Sequence, residues 1–192
     1  MKKIAVLSFL LIMACSGRSG FFDESSHPYH RVLWDQTEQR RYHTLENVPY
    51  QTAITYKNEA FRRAYVKEYV EMYHLPPEKA ASMLAEELAE ASEFDVFVIA
   101  HFASQREAAQ ITSRPKVWRI VLTTDPKTDF GSEPISVSSL AQGTDPVLMH
   151  FYPYVTPWSS NYLVKFKKVS ANPLYIRMSG VLADVIFRWK TS

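Results

Sequence analysis

The sequence predicts an α+β fold: an N-terminal helical hairpin packed on a C-terminal antiparallel β-sandwich, with an open β-barrel as the alternative. Three observations carry this. Apolar residues recur at helical spacing through residues 51–93, then at every second position from Phe94 onward. Turn signals cut the second half into seven short segments. The strands alternate on one side, which leaves a sheet face or edge for the hairpin to cover.

The elements follow in chain order. Residues 34–43 are polar and read as a short helix, ended by Asn47-Val48-Pro49, because proline restricts the residue before it. Residues 51–74 read as a long helix. Phe61, Tyr65, Tyr69 and Tyr73 recur at i+4 there, and charged residues from Lys57 to Glu71 fill the other faces. His74-Leu75-Pro76-Pro77 ends it, and Pro77 suits the first turn of a second helix, where its missing N–H costs nothing. Ala81, Leu84, Leu88 and Ala91 give that helix an apolar stripe through Glu93.

At Phe94 the period becomes two. Phe94, Val96, Val98, Ala100 and Phe102 share one face of a strand, and His101 lies on the other with Asp95, Phe97 and Ile99. Trp118, Ile120 and Leu122 form the next set. Tyr162, Val164 and Phe166, and Val181 through Trp189, alternate in the same way. Residues 135–140, 147–154 and 174–178 complete the seven strands. The chain therefore divides into residues 1–14, 15–29, 30–93 (helical subdomain) and 94–192 (β-sandwich domain).

The first fifteen residues set the location. Met1-Lys2-Lys3 is basic, Ile4 to Met13 is apolar, and Ala14-Cys15-Ser16-Gly17 follows. A charged start, a short apolar run and a small residue before a cut site make a secretory signal. The apolar run is about half of the ~20 residues a membrane span needs. Ile12-Met13-Ala14-Cys15 resembles the lipobox of bacterial lipoproteins. That resemblance covers the leader alone. It implies cleavage before Cys15, a diacylglycerol on its sulfur and acylation of the new amino group. Two or three chains on one cysteine make a stable anchor, where one is marginal. Ser16 after the cysteine, rather than Asp, points by the same analogy to the outer membrane. Residues 15–29 then form a lipidated, flexible tether.

Composition bounds the rest. Cys15 is the only cysteine, so no disulfide within the chain supports the core. Losing Lys2 and Lys3 with the leader leaves acidic and basic residues equal in number. Residues 23–93 carry 13 acidic and 8 basic side chains, and residues 94–192 carry 7 and 11. Neither half has the basic density of a nucleic-acid surface. No internal repeat and no phosphate-loop spacing occurs, and no G-x-S-x-G elbow presents a nucleophile.

Three groups of residues are candidates for function. His27 and His30, three apart at the end of the tether, form a pair that binds a transition metal weakly through imidazole; a plain linker is the alternative. His101 and His150 fall in two expected strands. If those strands pair, the imidazoles meet on one sheet face, and Asp95 or Asp184 would complete a metal site. Otherwise both are structural histidines. The segment His150-Phe-Tyr-Pro-Tyr-Val-Thr-Pro-Trp158 is the most distinctive, with four aromatic residues and two prolines in nine positions. Tyr152, Tyr154 and Trp158 are its partner-binding candidates, since aromatics give large contact area at low entropic cost. Burial beneath the helices is the alternative.

The resulting expectation is a membrane-anchored envelope lipoprotein acting as a binding or assembly module. It has no catalysis of its own and needs no cofactor. The expected partners are the membrane, through the lipid, and an envelope or secretion-system protein. The competing expectation is an envelope hydrolase, metal-assisted through His101 and His150.

Overall fold

The computed structural model describes residues 27–43, 49–112, 117–180 and 183–190. The leader, Cys15 and most of the expected tether lie outside the described residues. The chain is α+β, with two antiparallel sheets and several helices.

Helix α1 (Pro28–Asp35) opens the described chain and is followed by strands β1 (Thr37–His43) and β2 (Pro49–Tyr56). Helices α2 (Glu59–Tyr73) and α3 (Pro77–Glu93) form the hairpin, and β3 (Phe94–Ala103) follows directly. The remaining elements are α4 (Arg106–Ala109), β4 (Trp118–Thr123), β5 (Ser136–Ser139), α5 (Pro146–Phe151), β6 (Ser160–Lys167), β7 (Leu174–Gly180) and β8 (Asp184–Trp189). The larger sheet runs β1-β2-β3-β6-β5 and the smaller β4-β7-β8. The two are not closed into a barrel, so the sandwich expectation holds over its alternative.

The central strand β3 is buried on both faces, which explains its long apolar run. Phe97, Ile99 and His101 face the small sheet. There Ile54, Tyr56, Trp118, Ile176, Met178, Phe187 and Trp189 close the inter-sheet core. Val98 and Ala100 face the helices, packing with Tyr29, Leu33, Phe61, Phe151, Tyr152 and Val155 in a second core. Each core is dense in aromatic rings. Phe97 stacks on Tyr56 at 4.8 Å between centroids and meets Trp189 at 5.1 Å.

Five sequence expectations need correction. Residues 37–43 are an edge strand rather than part of a helix, because pairing with β2 from Thr37↔Thr55 to His43↔Pro49 outweighs a weak local preference. The long helix begins at Glu59, not at residue 51. Residues 50–56 alternate Tyr50, Thr52, Ile54 and Tyr56 toward the inter-sheet core, and Asn58 then caps α2 by accepting from the Phe61 N–H at 2.9 Å. Residues 30–93 are accordingly not purely helical, since β1 and β2 continue the sheet that β3 centres. Residues 147–151 are helical rather than extended. Asp145 accepts from the Val147 and Leu148 N–H groups, and Pro146 sits in the first turn. Finally, Pro28 and Tyr29 are not tether: they begin α1, and Tyr29 is buried with its hydroxyl donating to the Phe151 carbonyl at 2.8 Å.

The two hairpin helices are held differently. α2 inserts Phe61 and Val66 into the structure, whereas α3 buries no residue. Charge holds α3. The fully buried Arg62 donates to Glu87 and to Glu90 (2.7 Å), Lys57 reaches Glu87 at 3.3 Å, and Lys165 of β6 donates to Glu90. Burial pushes the Glu90 carboxyl up, but the hydrogen bonds from Lys165 and Arg62 outweigh it and hold it below its ordinary range. Burial pulls the Lys57 ammonium down despite Glu87.

Candidate functional site

The aromatic-proline segment separates into three parts. Tyr152 is buried in the helical core, with its ring beside Phe61. It is a packing residue and offers no contact to a partner. Tyr154 is half-buried. Its hydroxyl shares a 2.7 Å hydrogen bond with Thr55 of β2, and its ring lies 6.0 Å from Trp34. Trp158 is 78% exposed.

Trp158 stands where it does for a local reason. Thr156 to Ser159 forms a tight turn closed by the Ser159 N–H donating to the Thr156 carbonyl at 3.1 Å. Pro157 occupies the second position of that turn, where its fixed φ is preorganised. The Thr156 N–H donates to Ser159 Oγ at 3.0 Å, which braces the turn across its mouth. Gly143 backs it from the other side. A Cβ there would come within 1.7 Å of the Thr156 carbonyl, so only glycine fits.

Beneath the turn lies a cleft of about 200 Å³. Its floor is the Ala53–Ala100 cross-strand pair of β2 and β3, flanked by the Gln51–Phe102 pair. Tyr154, Thr156, Trp158 and Ser159 make the wall. Two small residues opposite one another leave a hollow in the sheet face, and the Trp158 indole forms its lip. A second depression, of about 290 Å³, is lined by Tyr56, Asn58, Glu59 and residues 168–171. Several of its polar groups already have protein partners: Lys168 pairs with Asp95 at 2.9 Å, Asn58 with Gln36 and with the Phe61 N–H, and Glu59 with Arg63.

The structure does not bring His101 and His150 together. His101 is fully buried in the inter-sheet core, and both ring nitrogens are engaged. The Ala108 carbonyl can only accept, so Nε2–H donates to it (3.0 Å), and Nδ1 accepts from the Thr52 hydroxyl (2.8 Å). Trp118 Nε1 donates to the same carbonyl at 2.8 Å. Burial pushes the His101 imidazole down to about 4, against the backbone hydrogen bond that favours its charged form. Asp95, its proposed companion, is instead bonded to the Tyr56 hydroxyl, the Val169 N–H and Lys168. Asp184 pairs with Arg177.

His150 lies on α5, on the helical side of the large sheet. Its Nε2 meets Glu68 of α2 at 2.8 Å. Its ring is 6.1 Å from that of His30, which is 5.1 Å from that of His27. Sequence reasoning placed His27 and His30 on a tether and His150 in a strand, and so kept them apart. The i, i+3 spacing of the first two beside Pro28 was the available signal of a helix start. Glu68, one of several acidic residues on α2, carried no mark of its own.

No known protein family, curated protein or solved structure matches this chain. Among the described residues no helix is long and apolar enough to cross a membrane.

Proposed function

We propose that this protein is an envelope-anchored binding module, tethered through a lipidated Cys15, that holds a partner protein at the Trp158 cleft. The observation that carries this reading is an indole left 78% exposed on a braced proline turn above an alanine-floored hollow. A large aromatic held rigidly at the surface loses little entropy on binding and is the side chain most enriched at interface hot spots. The cleft's size argues for the class of partner. Sites for small molecules and cofactors span about 300–1,000 Å³. A hollow of about 200 Å³ suits one anchoring side chain of a protein. The lipid anchor and outer-membrane location rest on the leader's lipobox resemblance.

The test is a photo-crosslinking amino acid placed at position 158 in living cells, with the equally exposed Phe130 as control site. One envelope protein captured at 158 and not at 130 is expected. Trp158→Ala should abolish its co-purification while thermal stability changes by less than about 0.5 kcal/mol, as for an exposed side chain. Equal capture at both sites, or undiminished co-purification with Trp158→Ala, rejects the cleft. Cys15→Ser should move the protein out of the membrane fraction, and its retention there rejects the anchor.

A further inference from the structure

We infer that the segment held at the Trp158 cleft is an extended, proline-containing stretch of protein with an acidic residue flanking its prolines. This rests on the reading of the cleft as a partner site and names what that site recognises. The lining contains no charged side chain. It offers the rings of Trp158, Tyr154 and Phe102 over the Ala53–Ala100 floor, and the Trp34 ring continues the wall 6.0 Å from that of Tyr154. Such a surface takes a small apolar ring against aromatic faces and rejects a charged group.

The polar groups narrow the choice. The Tyr154 hydroxyl is engaged with Thr55, and the Ser159 hydroxyl with the turn it braces. Among the described residues, the Trp158 indole N–H, the Gln51 amide and the Thr156 hydroxyl have no partner. An indole N–H can only donate. The β2 and β3 backbones below are paired with each other, from Tyr50↔Ala103 to Tyr56↔Phe97, so a visiting strand finds no ladder to join. A polyproline II segment suits these terms. Its carbonyls are not bonded within the segment, its prolines bring no N–H, and it arrives already extended. A glycan presents many hydroxyl protons, and the lining has no carboxylate to accept them.

Charge enters at the open side. Arg41 and Gln39 of β1 pair with Gln51 and Ala53, which puts them on the same sheet face, beside the cleft. Arg41 is exposed and, among the described residues, has no acidic partner. Its guanidinium is placed to take a carboxylate that flanks the prolines.

The experiment titrates the full-length chain in detergent into a fluorescent octaproline ended by two glutamates and follows anisotropy. Three labelled probes serve as comparisons: a glycine–serine peptide of equal length and charge, an octaproline ended by two lysines, and a tetramer of N-acetylglucosamine. Saturable binding of the glutamate-ended octaproline is expected, with the glycine–serine peptide and the sugar about tenfold weaker or more. Trp158→Ala should weaken it about tenfold or more. Ala53→Leu, which fills the hollow from its floor, should do the same with unchanged circular dichroism. The lysine-ended octaproline should bind more weakly than the glutamate-ended one in the parent, and equally in Arg41→Gln. Equal affinity for the two ends in the parent overturns the acidic part of the assignment. Equal binding of the glycine–serine peptide, undiminished octaproline binding by Trp158→Ala, or no octaproline binding by a chain that still captures a protein at position 158 overturns the proline assignment and leaves the partner site standing. Preference for the sugar, or no octaproline binding together with no capture, overturns both.

Discussion

The two faces of the five-stranded sheet are built from alternate residues of the same strands, yet they differ in kind. The face toward the small sheet is sealed. Each polar side chain described above on that face, His101 and Asp95 among them, has partners, and the aromatic rings of four strands interlock around Phe97. The face toward the helices is only partly sealed. It carries the buried cluster around Phe61 and Phe151, but also the alanine-floored cleft, the histidines around Glu68 and a helix held by ions. One face therefore spends its residues on stability, while the other leaves room for recognition. A second sheet covers the centre of the first face, leaving exposed only its edge at β5, where Val137 stands. Helices of different lengths cover the other and leave gaps between them.

Breaking the sealed face should have the largest effect. Phe97→Ala removes a fully buried ring that touches Tyr56, Phe166 and Trp189. It should cost about 3–5 kcal/mol in chemical denaturation. A cost below about 1 kcal/mol would mean that the two sheets do not form one tight core.

The same face should be sensitive to acid through His101. Its imidazole falls from an ordinary 6.5 to about 4 in the fold, so the unfolded chain binds the proton more readily. Its neutral-state stability is present in full above pH 6.5 and is lost as pH falls toward about 4. The loss amounts to about 3 kcal/mol. The difference in urea midpoint between the parent and His101→Leu, followed across that window, isolates this contribution from carboxylate titration. A pH-independent difference would show that His101 is not buried as a neutral ring.

The smallest effect belongs to the helical face. Glu87→Gln removes the carboxylate that holds Lys57 and Arg62 to α3. The expected loss is about 1–2 kcal/mol, smaller than for a sealed pair because Glu87 remains partly in water. Hydrogen exchange should speed up in α3 and leave β3 unchanged. Equal acceleration in both would mean that α3 is integral to the core.

The aromatic-proline segment shows where sequence reading stops. Its composition marked it as unusual, but Tyr152, Tyr154 and Trp158 share one chemistry class and end in three environments. Asp145-Pro146 carried an N-cap signal that favoured a helix over the strand read from 147–154. Asn58-Glu59 carried the corresponding signal for α2. In both places an apolar period spanning the boundary masked a capping residue that was there to be read.

The sequence alone determined the change of period at Phe94, the α2–α3 hairpin, four strands with clear alternation and the α+β class. These depend on local spacing, which a short window records. Only the tertiary structure decided that polar residues 37–43 pair as an edge strand and that β3 is covered on both faces. It also decided that His101 is neutral and enclosed, and that His27 and His150 approach Glu68 with the His30 ring beside theirs. Those outcomes depend on which distant segments become neighbours, and the energy that selects them comes from burial summed over the whole chain rather than from any one segment.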